Sequence, residues 1–488
     1  MSEFRDRTLS ALGWSLGGQL GRQAASFVIG IVLARLLSPE EFGLVAMVTV
    51  LTGFAAVLAD FGFGAALVQK DDAEERHFSS VFWVNLTVGF LLTLVFAGAA
   101  PLVASFYETP ELVGITVAMS LTFLLSSINV VQRTRLSKAL DFQRLSLIEV
   151  ASLIVSSVVA VILATMGFGV WALVFHAVGR SAVEAALLWI LNDWRPHRIL
   201  DRAALAELIG FSGSLMGTQA LNYWARNLDD LLVGRVFGEQ ALGAYNKAYS
   251  VMLFPLENIS RVIGRVMFPA LSLVKENREL VASVFLRSTR SISLVTFPMM
   301  LGLLVTAEPF VIGLLGPQWR PMIPILQVLC FVGLVQSVTT LTGSLYLSQG
   351  RADLQLRVGL ALKVVTLAGI VIGLRWGPVG VAIGYGAATA INSYPAFRFA
   401  GGLVGLRFID LLRAVFATLV CAAAMALVVW GIETLLPADW SQLARLGVNV
   451  GSGVLTYGAL VLLFRPLAVR DVEEVLRERA GRFTRAER

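Results

Sequence analysis

Charge is scarce in this chain of 488 residues: Asp, Glu, Lys and Arg together make up only 15% of it. A soluble protein of this size carries about a quarter, so the polar surface that water would require is missing. Cysteine is nearly absent. Cys330 and Cys421 both lie in apolar stretches, too few for a disulfide framework and suited to packing as small apolar residues. The three histidines, His77, His176 and His197, are scattered without metal-ligand spacing. There is no glycine-rich phosphate loop and no nucleophile elbow. These absences argue against an enzyme and against any cofactor or bound metal.

What the chain has is apolar sequence. It is 57% hydrophobic, with a mean hydropathy of +0.76. A helix crosses the hydrocarbon core of a bilayer in about 20 mostly apolar residues. The pattern predicts an all-α polytopic membrane protein with about 14 transmembrane helices. Their approximate cores are 9–35, 42–68, 80–100, 112–131, 147–165, 170–191, 208–236, 242–264, 286–307, 322–342, 355–374, 379–400, 411–432 and 446–464. The start of the chain does not read as a cleaved signal peptide, because Arg22 interrupts its apolar run. On one face of the membrane the connections (near 36–41, 101–111, 166–169, 237–241 and 308–321) are too short to form a catalytic domain.

Net charge is +6, and the basic residues collect in the even-numbered connections and the tail. Arg133, Arg135, Lys138 and Arg144 form one group, and Arg195, Arg198 and Arg202 another. Arg398, Arg407 and Arg413 form a later one. Roughly 28 basic residues fall on this side against about 5 opposite, which orients both termini to the cytoplasm. The tail beyond 470 has Val472, Val475 and Leu476 at helical spacing among arginines. It reads equally as a helix on the inner surface or a solvated tail.

The chain repeats itself. Adding 200 carries Gly13 to Gly213, Gly17 to Gly217, Gln19 to Gln219, Ala25 to Ala225, Arg35 to Arg235 and Gly43 to Gly243. With small shifts, Asp141-Phe142-Gln143 matches Asp353-Leu354-Gln355. Two six-helix lobes follow, 1–200 and 201–408, then two helices in 409–466 and a basic tail in 467–488. Six is even, so the lobes share an orientation, as in parallel-repeat transporters. Gly13, Gly17, Gly21 and Ala25 form a small-residue ladder suited to close helix approach.

Ionisable groups inside spans are costly and point to function. Arg22, Lys247 and Lys363 have no acidic neighbour one helical turn away. They are candidate substrate-binding residues, together with Arg226 and the nearby Gln19, Gln219 and Asn222. The repeat carries position 22 to 222, one turn from Arg226, so the two arginines are expected to face each other. Paired guanidinium groups suit phosphate, which they grip bidentately. Asp229, Asp230 and Glu149 are ion-coupling candidates, although Arg226 can also pair with either aspartate. Arg180–Glu184 and Glu257–Arg261 read as pairs within one helix. Prolines appear inside helices in the second lobe (Pro255, Pro298, Pro324, Pro395) but at ends or in loops in the first (Pro39, Pro101, Pro110, Pro196). On this reading the second lobe bends more during transport.

Residues 34–43, Ala-Arg-Leu-Leu-Ser-Pro-Glu-Glu-Phe-Gly, resemble a signature of bacterial polysaccharide exporters. So do residues 227–235, Asn-Leu-Asp-Asp-Leu-Leu-Val-Gly-Arg, followed by Leu242-Gly243-Ala244-Tyr245. The likeness is to the colanic acid and lipopolysaccharide O-unit branch of the multidrug/oligosaccharidyl-lipid/polysaccharide flippase superfamily, and it covers essentially the whole chain. It implies two lobes around a hydrophilic cavity, alternating access, and basic residues in the cavity. It further implies a bacterial inner-membrane location. The implied substrate is an undecaprenyl-pyrophosphate-linked oligosaccharide, and the implied partners are bilayer lipids and the polymerase and export machinery of the same pathway. The rival readings are a cation-coupled multidrug exporter, which favours acidic and aromatic cavity residues, and a membrane glycan polymerase or ligase, which needs a large external loop.

Overall fold

The computed structural model describes the backbone of residues 2–60 and 62–471. Side chains are described there except at 2–16, 20, 58–60, 210–215, 218, 221, 225, 261, 262, 265 and 266. Gly13, Gly213 and Ala225 of the repeat, the Arg261 side chain and the tail beyond Asp471 therefore lie outside the described residues.

Among the described residues the fold is all helix. The first half contains α1 (Ser2–Leu36), α2 (Pro39–Asp60), the short α3 (Phe63–Gln69), α4 (Glu75–Tyr107), α5 (Leu112–Lys138), α6 (Phe142–Thr165) and α7 (Val170–Leu191). Next comes α8 (Arg202–Leu273), followed by α9 (Arg278–Val305) and a single turn, α10 (Ala307–Phe310). The remainder is α11 (Met322–Thr339), α12 (Thr342–Ser348), α13 (Ala352–Gly373), α14 (Gly377–Gly402), α15 (Phe408–Leu435) and α16 (Gln442–Phe464). Ten segments of the described chain are long and apolar enough to cross a membrane, and one of them, 352–402, contains both α13 and α14. Apolar side chains cover much of the exterior: Leu102, Ile190, Leu427, Leu455 and Leu463 are all exposed. Lipid is the solvent such a surface requires.

α8 is two helices. Gly238 breaks it with φ 80° and ψ −175°, a backbone conformation that only glycine adopts without strain. The turn predicted between the seventh and eighth helices falls there.

The chain forms two compact units, Met1–Gly243 and Ala244–Arg488. In the first, α4 packs on α5, α5 on α7, α6 on α7 and α1 on α6. In the second, α9 packs on α11, α11 on α14 and α13 on α14, while α15 packs on α9 and α16. Three of these packings (α4–α5, α5–α7, α6–α7) recur in the second unit as α9–α11, α11–α14 and α13–α14. Glycines set the closest of these contacts. A Cβ added at Gly89 of α4 would lie 2.6 Å from Ser127 Cβ on α5. On α13 and α14, Gly369 faces Gly384 and Gly373 faces Gly380, so the two backbones touch. Small residues allow this in lipid, where helices associate by packing and hydrogen bonding rather than by the hydrophobic effect.

Several local expectations change. At Gly17 and Gly21 an added Cβ meets no described atom within 4 Å, whereas at Gly18 it would press on Ser146 Cβ of α6 at 2.6 Å. The tight approach of α1 is thus one residue off the predicted ladder. Pro101 lies inside α4, which runs on to Tyr107, and Pro324 sits in the first turn of α11. The proline contrast between the lobes is accordingly smaller than it looks in sequence. The 308–321 connection is not an open loop: it coils through α10, a π-helical turn at Val311–Leu315 and a 3-10 turn at Pro317–Trp319, and Trp319 is wholly buried.

Candidate functional site

The first unit buries a chain of ion pairs. Glu149 on α6 is 7% exposed and is held from two sides, by Arg22 of α1 and by Arg133 of α5. Arg133 reaches on to Glu184 of α7. Four helices are thereby linked through two carboxylates. Arg133 and Arg180 also act electrostatically on Arg22, and Arg180 makes no ion pair among the described residues. Three guanidinium groups against two carboxylates leave one positive charge in excess. Beside them, His176 of α7 shares a hydrogen bond with Ser157 of α6, 3.1 Å apart.

Arg22 has its partner on another helix, as an unneutralised cation within a span requires. Glu184 is taken by Arg133 rather than by Arg180 one turn away, which corrects the expected pairing along α7. Arg133 itself was counted with the inner connection. It lies within α5, because that helix continues to Lys138, and its side chain turns inward to two buried acids. The charges acting on Arg22 are Arg133, Arg180 and Glu184 beside its partner Glu149. Arg226 is exposed and pairs with neither Asp229 nor Asp230.

A second group gathers where α2 meets the first half of α8. The Tyr223 hydroxyl donates to the carbonyl of Val50 at 2.7 Å and packs on Gly53, and the rings of Phe54, Tyr223 and Trp224 form a mutual cluster. Asp230 exerts its charge on Tyr107 and Tyr223, while Asp229 is buried. Both aspartates have partners. Nearby, Asn222 and Gln219 are exposed and Gln19 of α1 is half-buried.

The two lysines fall in the second unit. Lys247 Nζ lies 6.0 Å from the centre of the buried Trp319 ring, an arrangement that favours a cation electrostatically. One turn along the helix, Tyr249 stacks on Tyr245 and shares a hydrogen bond with Tyr385 of α14, which also receives Gln336 of α11 at 2.7 Å. Lys363 is half-buried on α13 and has a partner.

The exporter-like signatures have a structural explanation. Ser38 and Glu41 cap the start of α2 reciprocally: Ser38 N donates to Glu41 Oε2 at 2.6 Å, and Glu41 N to Ser38 Oγ at 3.3 Å. Pro39 fills the first helical position, where a missing N–H costs nothing. Gly43 then lies against the Glu239 carbonyl and Gly243 against that of Pro39, so the repeat-related glycines meet backbone to backbone. Arg235 closes the second signature on Glu108 at 2.8 Å, over the ring of Phe106.

This is the architecture of a helical membrane transporter. The structure superposes on the lipid II flippase MurJ in an inward closed conformation with a TM-score of 0.70 at 14% identity, covering 96% of this chain and 100% of that one. An inward-facing multidrug resistance MATE family transporter gives 0.63 at 15%, covering 78% and 94%. Such identities establish a shared fold. Sequence likeness is more specific. The teichuronic acid biosynthesis protein TuaB of Bacillus subtilis is 30% identical over 85% of this chain and 87% of its own length. The lipopolysaccharide biosynthesis protein WzxC of Escherichia coli is 27% identical, with 80% of each chain covered. The succinoglycan biosynthesis transport protein ExoT of Rhizobium meliloti is 30% identical over 65% of this chain and 64% of its own. A family model described as polysaccharide biosynthesis protein matches residues 32–324, and the chain belongs to that family.

Proposed function

We propose that this chain is a flippase that moves an undecaprenyl-pyrophosphate-linked oligosaccharide from the cytoplasmic to the periplasmic leaflet of a bacterial inner membrane. It acts by alternating access of two six-helix lobes, 1–200 and 201–408, with both termini in the cytoplasm, and performs no covalent chemistry. The names of three relatives, which speak of teichuronic acid, lipopolysaccharide and succinoglycan, support the substrate class. The observation that carries the reading is the half-buried arginine cluster around two buried glutamates, with its excess positive charge.

A pyrophosphate bearing sugars cannot cross hydrocarbon unaided, whereas its lipid tail can remain in the membrane. The protein needs to carry only the head group, and anionic oxygens are matched by guanidinium groups. Arg22 is the residue of first contact in this proposal, with Lys247, Lys363 and Arg226 as further basic contacts and Gln19, Gln219 and Asn222 offering amides to sugar hydroxyls. Glu149 holds Arg22 when no substrate is present. When the pyrophosphate takes Arg22, Glu149 keeps Arg133, so no bare carboxylate is left in the bilayer. That exchange makes Glu149 the leading coupling residue, ahead of Asp229 and Asp230. The polymerase and export machinery of the same pathway are the proposed partners.

The test is Arg22→Ala in a strain whose surface polysaccharide depends on this chain. Export should be lost while membrane insertion and protein level stay unchanged. Normal surface polysaccharide in that strain would overturn the role of Arg22.

A further inference from the structure

The second unit has a concavity at the join of α14 and α15 that none of the roles above uses. It encloses about 600 Å³ and is lined by Tyr394, Arg398, Arg407, Phe408, Ile409 and Leu412 along with glycines of the connecting turn. Its chemistry is divided. One end is cationic. Arg398 lies over Gly402, its Nη1 3.2 Å from where a Cβ would stand, and makes no ion pair among the described residues. Arg407 precedes α15, and both its backbone N–H and its guanidinium donate to Asp410. Arg413 follows one turn on and also acts on Asp410. Arg407 and Arg413 thus share one carboxylate. The other end is apolar and open: Tyr394, Ile409, Leu412 and Phe416 are all exposed.

Aromatic rings pack against one another in its lining. Tyr394 and Phe408 meet edge to face at 5.4 Å, and Phe408 continues onto the wholly buried Phe397. Gly405, at φ 80°, makes the turn that leaves the mouth open. A cationic mouth at helix ends above an exposed apolar strip has the layout of a headgroup and its acyl chains. It lies on the side of the membrane where basic residues concentrate and anionic lipid attracts them.

We propose that this concavity binds an anionic phospholipid, its phosphodiester between Arg398 and Arg407 and its acyl chains along Ile409, Leu412 and Phe416. The site is separate from the proposed translocation residues, so it stands or falls independently of the flippase reading.

The experiment is native mass spectrometry of the full chain, released from micelles containing phosphatidylglycerol or phosphatidylcholine of the same acyl composition. The wild type should retain phosphatidylglycerol preferentially. R398Q/R407Q should lower that retention by roughly thirtyfold, the scale expected for two arginines at a membrane surface. Leu412→Trp, which fills the apolar end and keeps every charge, should lower it as well and decides the matter if the double variant does not fold. Equal retention of the two lipids, or unchanged phosphatidylglycerol retention in the variants, would overturn the proposal. Displacement by inorganic phosphate alone would show a simple anion site, and displacement by equimolar polyprenyl phosphate would show a substrate entry site. Either result also rules out a phospholipid site.

Discussion

The two units bury polar groups in different ways. In the first, charge is matched with charge: Arg22, Arg133, Glu149 and Glu184 join four helices. In the second, the ion pairs Arg290–Asp471 and Arg445–Glu433 share no group with each other, and a neutral string of Gln336, Tyr385 and Tyr249 lies beside Lys247 and its aromatic neighbour Trp319. The difference matters in lipid. A buried carboxylate that loses its cation cannot be solvated, whereas a hydroxyl that loses its partner forgoes only a modest net gain. On the proposed mechanism the first unit responds to an incoming anion, because Arg133 bridges both carboxylates and still holds Glu149 when Arg22 leaves. The second is better suited to holding shape.

This contrast can be tested by substitution. The largest effect is expected from Glu149→Gln. It leaves Arg22 and Arg133 facing a neutral amide and should destabilise the protein by about 3 kcal/mol, read as a lowered midpoint of thermal unfolding in detergent. No shift would mean that the cluster is hydrated rather than dry. Next are Gly43→Ala and Gly243→Ala. Each Cβ falls on a backbone carbonyl that cannot move aside, so each should cost about 2–3 kcal/mol, and by the repeat the two losses should be similar. Unequal losses would show that one half of the junction relaxes.

The turn leading into that junction is built in two ways, by a Ser38–Glu41 cap before α2 and by Gly238 inside α8. Gly238→Ala should cost about 2 kcal/mol through backbone strain, and Ser38→Ala about 1 kcal/mol through the lost cap. The reverse order, measured by the same melting, would contradict this account. The smallest effect is expected in the second unit. Tyr385→Phe removes one acceptor from Gln336 and should cost about 1 kcal/mol or less, with glycan export unchanged. A loss of export there would move the functional weight into the second unit.

Much of the helical layout could be read from hydropathy, including the break that falls at Gly238 and the recurrence of residues 200 positions apart. Individual site residues were partly legible. Arg22 and Glu149 stood out because a charge within an apolar run is costly wherever it lies. Their pairing was not legible, since nothing along the chain relates position 22 to position 149. Arg133 was misread for a related reason. It sits beside Arg135 and Lys138 in a basic stretch that resembles a membrane-surface connection, and only the continuation of α5 to Lys138 turns it inward. Pro101 likewise suggested a helix end, yet α4 passes through it.

Composition and pattern determined by themselves that this protein is helical and spans the membrane many times, because both follow from the cost of exposing backbone or charge to hydrocarbon. Which arginine neutralises which glutamate was decided only in three dimensions. Electrostatic attraction depends on distance through space, and four helices far apart in sequence had to pack before Arg22, Arg133, Glu149 and Glu184 could meet.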